Sequence, residues 1–176
     1  DGLDTLFPEK GYTAEDNAVG PSEPMFQIAQ GDVYGWPYCY FDSRVNAMIL
    51  APEYGGDGRT VGRCSQFKTP FATFPAHYAP VDLMFYGGTH FPAKYRGGAF
   101  MTSHGSWNRA PFPMAGYNIL FQPVVKGKNA GPHEVFADGF KGNEPLMSPA
   151  EALARPNGTY VGPDGTMYIT ESVKGK

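Results

Sequence analysis

Glycine and proline cut this chain into runs too short for most folds. Tyr95-Arg96-Gly97-Gly98 precedes the strand pattern Ala99-Phe100-Met101-Thr102-Ser103, and Pro163-Asp164-Gly165 precedes a second over residues 166–170. Residues 81–85 and 118–122 are two more strand patterns. Gly 23 and Pro 17 make up nearly a quarter of the 176 residues, about twice their average share. Both break helices, glycine by its backbone entropy and proline by its missing N–H. A helical bundle and a coiled coil are excluded. Disorder is excluded too, because aromatics are 15% and charged residues only 18%. The chain reads as all-β, with tight turns and an aromatic core.

A net charge of −3 and the lack of any basic run argue against nucleic acid and anionic lipid as partners. The longest uncharged stretches, such as residues 110–125, are broken by proline and polar groups. No run approaches the roughly 20 apolar residues of a membrane span. The one helical turn expected lies over residues 148–154.

Gly11, Gly98 and Gly165 each stand between a turn and an expected strand, the first over residues 11–15. The first spacing is close to two propeller-blade periods of about 40–45 residues, and the second is not a whole multiple. This weak repeat suggests a β-propeller, with a sandwich as the plainer alternative. About four blades fit the length. The start at Asp1-Gly2-Leu3 and the stop at Ser172-Val173-Lys174-Gly175-Lys176 both read as cut. Residues 1–176 are therefore expected to be a single fragment of a propeller domain, truncated at both ends. Cys39 and Cys64 lack zinc-type spacing. The reading favours a disulfide over two free thiols, closing a loop worth about 3 kcal/mol.

An ordered set of strings carries a family resemblance. Tyr34-Gly35-Trp36-Pro37 is followed by Leu50-Ala51-Pro52-Glu53-Tyr54-Gly55-Gly56-Asp57-Gly58 and Pro75-Ala76-His77-Tyr78-Ala79-Pro80. Then come Phe85-Tyr86-Gly87-Gly88, Phe91-Pro92-Ala93-Lys94-Tyr95-Arg96-Gly97-Gly98, His104-Gly105-Ser106-Trp107-Asn108-Arg109 and Arg155-Pro156. In this order the chain resembles the C-terminal half of the soluble glucose/sorbosone dehydrogenase family. These are quinoprotein sugar dehydrogenases that use pyrroloquinoline quinone (PQQ) and calcium. The resemblance implies the last three to four blades of a six-bladed propeller. It also implies hydride transfer from a sugar to the quinone, electron passage to a cytochrome c-type or other acceptor, and a periplasmic or secreted location, which suits a disulfide.

The resemblance assigns residues one at a time. Gly20-Pro21 would offer backbone carbonyls to calcium, a hard ion that takes oxygen ligands. His77, in a loop, would hydrogen-bond the cofactor through an imidazole that both donates and accepts. His104, Asn108 and Arg109 would add donors in the densest polar and aromatic cluster, and the Trp107 indole suits a flat π-system. Arg155 would set its planar fork against cofactor carboxylates. Ala154 and the run Asn157-Gly158-Thr159-Tyr160 depart from the family pattern around that arginine. Asp57 reads as a turn residue rather than a second calcium ligand, and His90 and His133 as exposed. The general base that takes the sugar proton is expected upstream of Asp1, so the chain is expected to hold no catalytic residue and to need the remainder of the ring as partner. Two other readings are a non-catalytic propeller module that binds or scaffolds, and a calcium-dependent propeller lactonase. The lactonase would use side-chain carboxylates and Asn in place of Gly-Pro carbonyls.

Overall fold

A computed structural model describes residues 2–174. Asp1, Gly175 and Lys176, at which the sequence suggests cut ends, lie outside the described residues. The chain divides into two compact units, Asp1–His77 and Tyr78–Lys176. Strands dominate the second unit, whereas the first mixes short strands with short α-helical and 3-10 segments.

The first unit opens with helices α1 (Leu3–Leu6) and α2 (Ala14–Val19). The expected strand over residues 11–15 is therefore wrong, and the glycine repeat loses its first member. The cause is a local capping box. The Thr13 hydroxyl accepts from the Asp16 amide at 3.1 Å, and the Asp16 carboxylate accepts from the Thr13 amide at 2.8 Å. That reciprocal pair starts a helix where the period-2 pattern alone reads as strand. Four strands follow: β1 (Glu23–Met25), β2 (Cys39–Asp42), β3 (Ala47–Leu50) and β4 (Ala72–Phe74). β1 pairs antiparallel with β4, and β2 with β3 in a hairpin whose register runs from Cys39↔Leu50 to Asp42↔Ala47. Cys39 and Cys64 form a disulfide. They pack with Phe41 and Met48 into this unit's core, against Leu50 and Phe67.

The second unit contains β5 (Pro80–Phe85), β6 (Ala99–Ser103), β7 (Asn118–Gln122), β8 (Val124–Val125), β9 (Lys128–Asn129), β10 (Glu134–Ala137), β11 (Pro156–Val161) and β12 (Met167–Glu171). The strand patterns expected over residues 81–85, 99–103 and 118–122 are strands here, and the one expected over residues 166–170 is a strand one residue later, Met167–Glu171. β5, β6, β7 and β10 form a four-stranded antiparallel sheet in the order β10-β7-β6-β5, an up-and-down arrangement of the kind propeller blades use. β8–β9 and β11–β12 are two-stranded sheets, and no sheet closes on itself among the described residues. Every residue of β6 and β7 is buried. An aromatic cluster of Tyr86, Phe100 and Phe121, with Phe91, Tyr95 and Phe136 against it, fills one side. Gly98 is required there, because a Cβ would sit 2.3 Å from the Phe121 ring. The turn expected over residues 148–154 is a short 3-10 segment, Pro149–Glu151.

Candidate functional site

In the second unit, β6 runs out at Ser103 into a loop that returns to β7 at Asn118, with Ser103 and Asn118 paired. His104 and Gly105 begin that loop. The His104 Nδ1 lies 2.8 Å from the Pro156 carbonyl at the start of β11. A carbonyl only accepts, so Nδ1 carries the proton, and in the neutral ring Nε2 is the acceptor. Arg155 comes from the other side. Its Nε donates to the His104 carbonyl at 3.2 Å and its Nη2 to the Gly105 carbonyl at 2.8 Å. The structure thus brings together His104 and Arg155 from distant parts of the chain. The clamp leaves Arg155 half-buried, with a guanidinium whose five donors are not exhausted by two carbonyls.

Tyr117 completes this corner, and the sequence reading missed it. Its ring is fully buried, its hydroxyl donates to the Ser106 carbonyl, and Arg155 Cζ lies 5.5 Å from its ring centroid. Burial pushes its hydroxyl pKa up, with the Arg155 charge opposing. The available signal was the Gly116-Tyr117 pair before a strand, since a glycine there lets backbone approach closely.

In the first unit, α2 ends at Gly20, whose amide donates to the Asp16 carbonyl at 3.0 Å. Among the described residues neither the Gly20 nor the Pro21 carbonyl accepts a protein hydrogen bond. Pro21 and His77 line one cleft of about 320 Å³, together with Tyr34, Trp36, Phe41 and Met48. His77 has a left-handed φ of 62°, strain that a non-glycine residue carries at about 1–3 kcal/mol. Its Nε2 lies 2.5 Å from the Asn17 carbonyl, so Nε2–H is the donor.

The other expected residues divide. Asn108 is half-buried in the loop after His104, and Arg109 turns its Nη1 to the Pro113 carbonyl at 2.7 Å. Arg155 reaches His104 and Gly105, not these two. Trp107 is 66% exposed, so it is not a core residue. Asp57 is a turn residue: its Oδ1 accepts from the Arg59 amide at 3.0 Å and the Thr60 amide at 2.7 Å. Those amides hold its carboxyl below the ordinary range. His90 is exposed as expected, whereas His133 is half-buried. No three His, Cys, Asp or Glu side chains gather to hold a metal among the described residues.

A family model described as TrAA12-like matches residues 13–176. An uncharacterized protein of Borreliella burgdorferi is 26% identical over 171 residues, which is 97% of this chain and 41% of that protein. The holo form of the pyranose dehydrogenase PQQ domain from Coprinopsis cinerea superposes with a TM-score of 0.69 at 20% identity, covering 90% of this chain and 43% of that one. The calcium structure of the Trichoderma reesei carbohydrate-active enzyme of family AA12 gives 0.63 at 20% identity, with coverages of 90% and 42%. The soluble aldose sugar dehydrogenase of Escherichia coli, in its apo form, gives 0.51 at 16%, with coverages of 89% and 37%. At these identities the likeness is one of fold. The chain spans about two fifths of the length of the relatives it matches.

Proposed function

Because this chain belongs to the TrAA12-like family, we propose that it forms part of a sugar dehydrogenase that uses PQQ and calcium. The observation that carries this reading is the His104–Arg155 clamp. It holds a guanidinium and an imidazole acceptor at one corner of the second unit, where no ion pair among the described residues explains the arginine. The likeness in fold to the PQQ domain of the Coprinopsis cinerea enzyme supports it.

The residues fit the two groups. PQQ is flat and carries carboxylates. Arg155 has donors left for a carboxylate, and the Nε2 of His104 is an acceptor for an N–H or O–H. Asn108 and Arg109, farther along the same loop, supply further donors in this reading. The Gly20 and Pro21 carbonyls, with no protein donor on them, suit a hard cation. His77 shares a cleft with Pro21, and its imidazole would add a cofactor contact. Bound PQQ would supply the two-electron acceptor for a hydride leaving the sugar carbon. This chain's residues bind and orient in the reading, and the base that takes the sugar's hydroxyl proton is assigned to none of them.

The finer parts of the reading follow from the same resemblance. The chain contributes three to four blades of a six-bladed propeller, and the remainder of the ring is its partner. Electrons pass on to a cytochrome-type acceptor. The disulfide supports a periplasmic or secreted location, and no helix among the described residues is long and apolar enough to cross a membrane.

The test is activity of the full-length protein loaded with PQQ and calcium chloride. Adding an aldose should bleach the oxidised quinone absorbance and reduce an artificial acceptor catalytically. A loaded protein whose spectrum ignores every aldose and ketose offered would contradict the reading.

A further inference from the structure

We propose that Tyr117 is a positioning residue for Arg155, and through it for His104. This rests on the cofactor reading above. Tyr117 stands at the far end of the loop that His104 begins, and its ring folds back beneath the near end. Gly105, at φ 91°, lies so close that a Cβ on it would sit 2.3 Å from the ring. Gly116, at φ 84°, lies so close that a Cβ would sit 2.7 Å from the Ser103 hydroxyl. The Tyr117 hydroxyl ties to the Ser106 carbonyl, and the Ser106 amide donates to the Ala115 carbonyl at 2.8 Å. Ring, hydroxyl and main chain thus close the loop upon itself.

The Tyr117 backbone is left-handed, with φ 63°. Such a conformation persists in a bulky residue only where the surroundings over-determine it. The ring it places here has Arg155 Cζ at 5.5 Å from its centroid, within reach of a cation–π attraction. Arg155 is therefore held from two sides, by the ring and by the carbonyls of His104 and Gly105. Two carbonyls alone leave the guanidinium plane free to swing about them, and the ring removes that freedom. Preorganising a binding group in this way raises affinity by lowering the ordering cost of binding.

The test uses the full-length protein and begins without cofactor. The Arg155 Nε–H resonance reads the clamp directly. Tyr117→Phe keeps the ring and should leave that resonance close to wild type. Tyr117→Leu should move it towards the free guanidinium position and speed its exchange with water. With PQQ and calcium added, affinity should fall less than about threefold in Tyr117→Phe and about tenfold or more in Tyr117→Leu. In an Arg155→Lys background the same leucine change should cost under about twofold, since the pair acts as a unit. A folded Tyr117→Leu protein with an unmoved Arg155 resonance overturns the proposal, as does an equal loss in both backgrounds. Arg155→Lys alone leaves Tyr117 in place and should shift its ring resonances. An unshifted ring overturns the proposal even if the leucine variant does not fold. Failure of the wild type to bind PQQ would count against the cofactor reading alone, because the apo resonances still decide the role of Tyr117.

Discussion

Asp82 on β5 accepts two hydrogen bonds from Thr159 on β11, one from the amide at 2.7 Å and one from the hydroxyl at 2.9 Å. This carboxylate is one tie between the β11–β12 hairpin and the four-stranded sheet, beside the packing of Val161, Met167 and Ile169 on the aromatic cluster, and Arg155 and Pro156 sit at the start of that hairpin. Asp82→Ala should strand both Thr159 donors and cost about 1–3 kcal/mol. Chemical denaturation of the variant beside the wild type measures it. An unchanged midpoint would mean that the hairpin is fastened by something else.

The disulfide makes a separate prediction. Cys39→Ser with Cys64→Ser should lower stability by about 3 kcal/mol in the chain-entropy model. Cys39 also lines the cleft that holds Pro21 and His77, so binding assigned to that cleft should weaken in the same variant. Thermal melts with and without reductant, on wild type and variant, separate the cross-link from the loss of sulfur packing. Reductant should move the wild type alone.

Asp16 gives the pH dependence its sign. The Thr13 backbone hydrogen bond, then the Thr13 hydroxyl and Arg44, hold its carboxyl below the ordinary 3.8. A carboxylate with a depressed folded pKa stabilises the protein above its unfolded pKa. That contribution is lost as pH falls through the folded value. Stability should therefore decline on acidification below about pH 4. Asp16→Asn should be less stable than wild type at neutral pH, and the two should converge in acid. A gap that stays constant from pH 7 to pH 2 would contradict the assignment.

Much of the second unit is legible in the sequence, because Gly-Gly and Pro-Asp-Gly turns fix where its strands begin. The first unit is less so. Thr13 and Asp16 start a helix through a side-chain reciprocity spaced three residues apart, and a strand pattern read over residues 11–15 passes straight across it. Arg44 was also missed. It binds Asp42 with Nη2 at 2.6 Å and pairs with Asp16 on α2, a partnership across the fold that no local spacing announces. At the site, Arg155 and His104 are legible only through a family resemblance, and their contact comes from the fold. Tyr117 matters through a left-handed backbone and a glycine pressed on its ring, neither of which a one-dimensional pattern displays.

Gly105 offers a test of that corner by steric means. Gly105→Ala forces a side chain into a left-handed backbone with the Tyr117 ring 2.3 Å from the new Cβ. The loop must move, and stability should fall by about 1–3 kcal/mol. PQQ affinity should fall with it, whereas Gly127→Ala, where nothing lies within 4 Å of the new Cβ, should leave affinity unchanged. Equal affinities in the two variants would separate the loop from cofactor binding.

The central proposal is that Arg155 and His104 bind a carboxylated quinone and that calcium supports its binding. Calorimetric titration of the full-length protein with PQQ, in calcium and again in chelator, tests it most directly. The account predicts one PQQ per protein in calcium, with affinity reduced at least about tenfold by chelator and by Arg155→Ala. Stoichiometric binding that ignores both calcium and Arg155, or no binding at all, would contradict it.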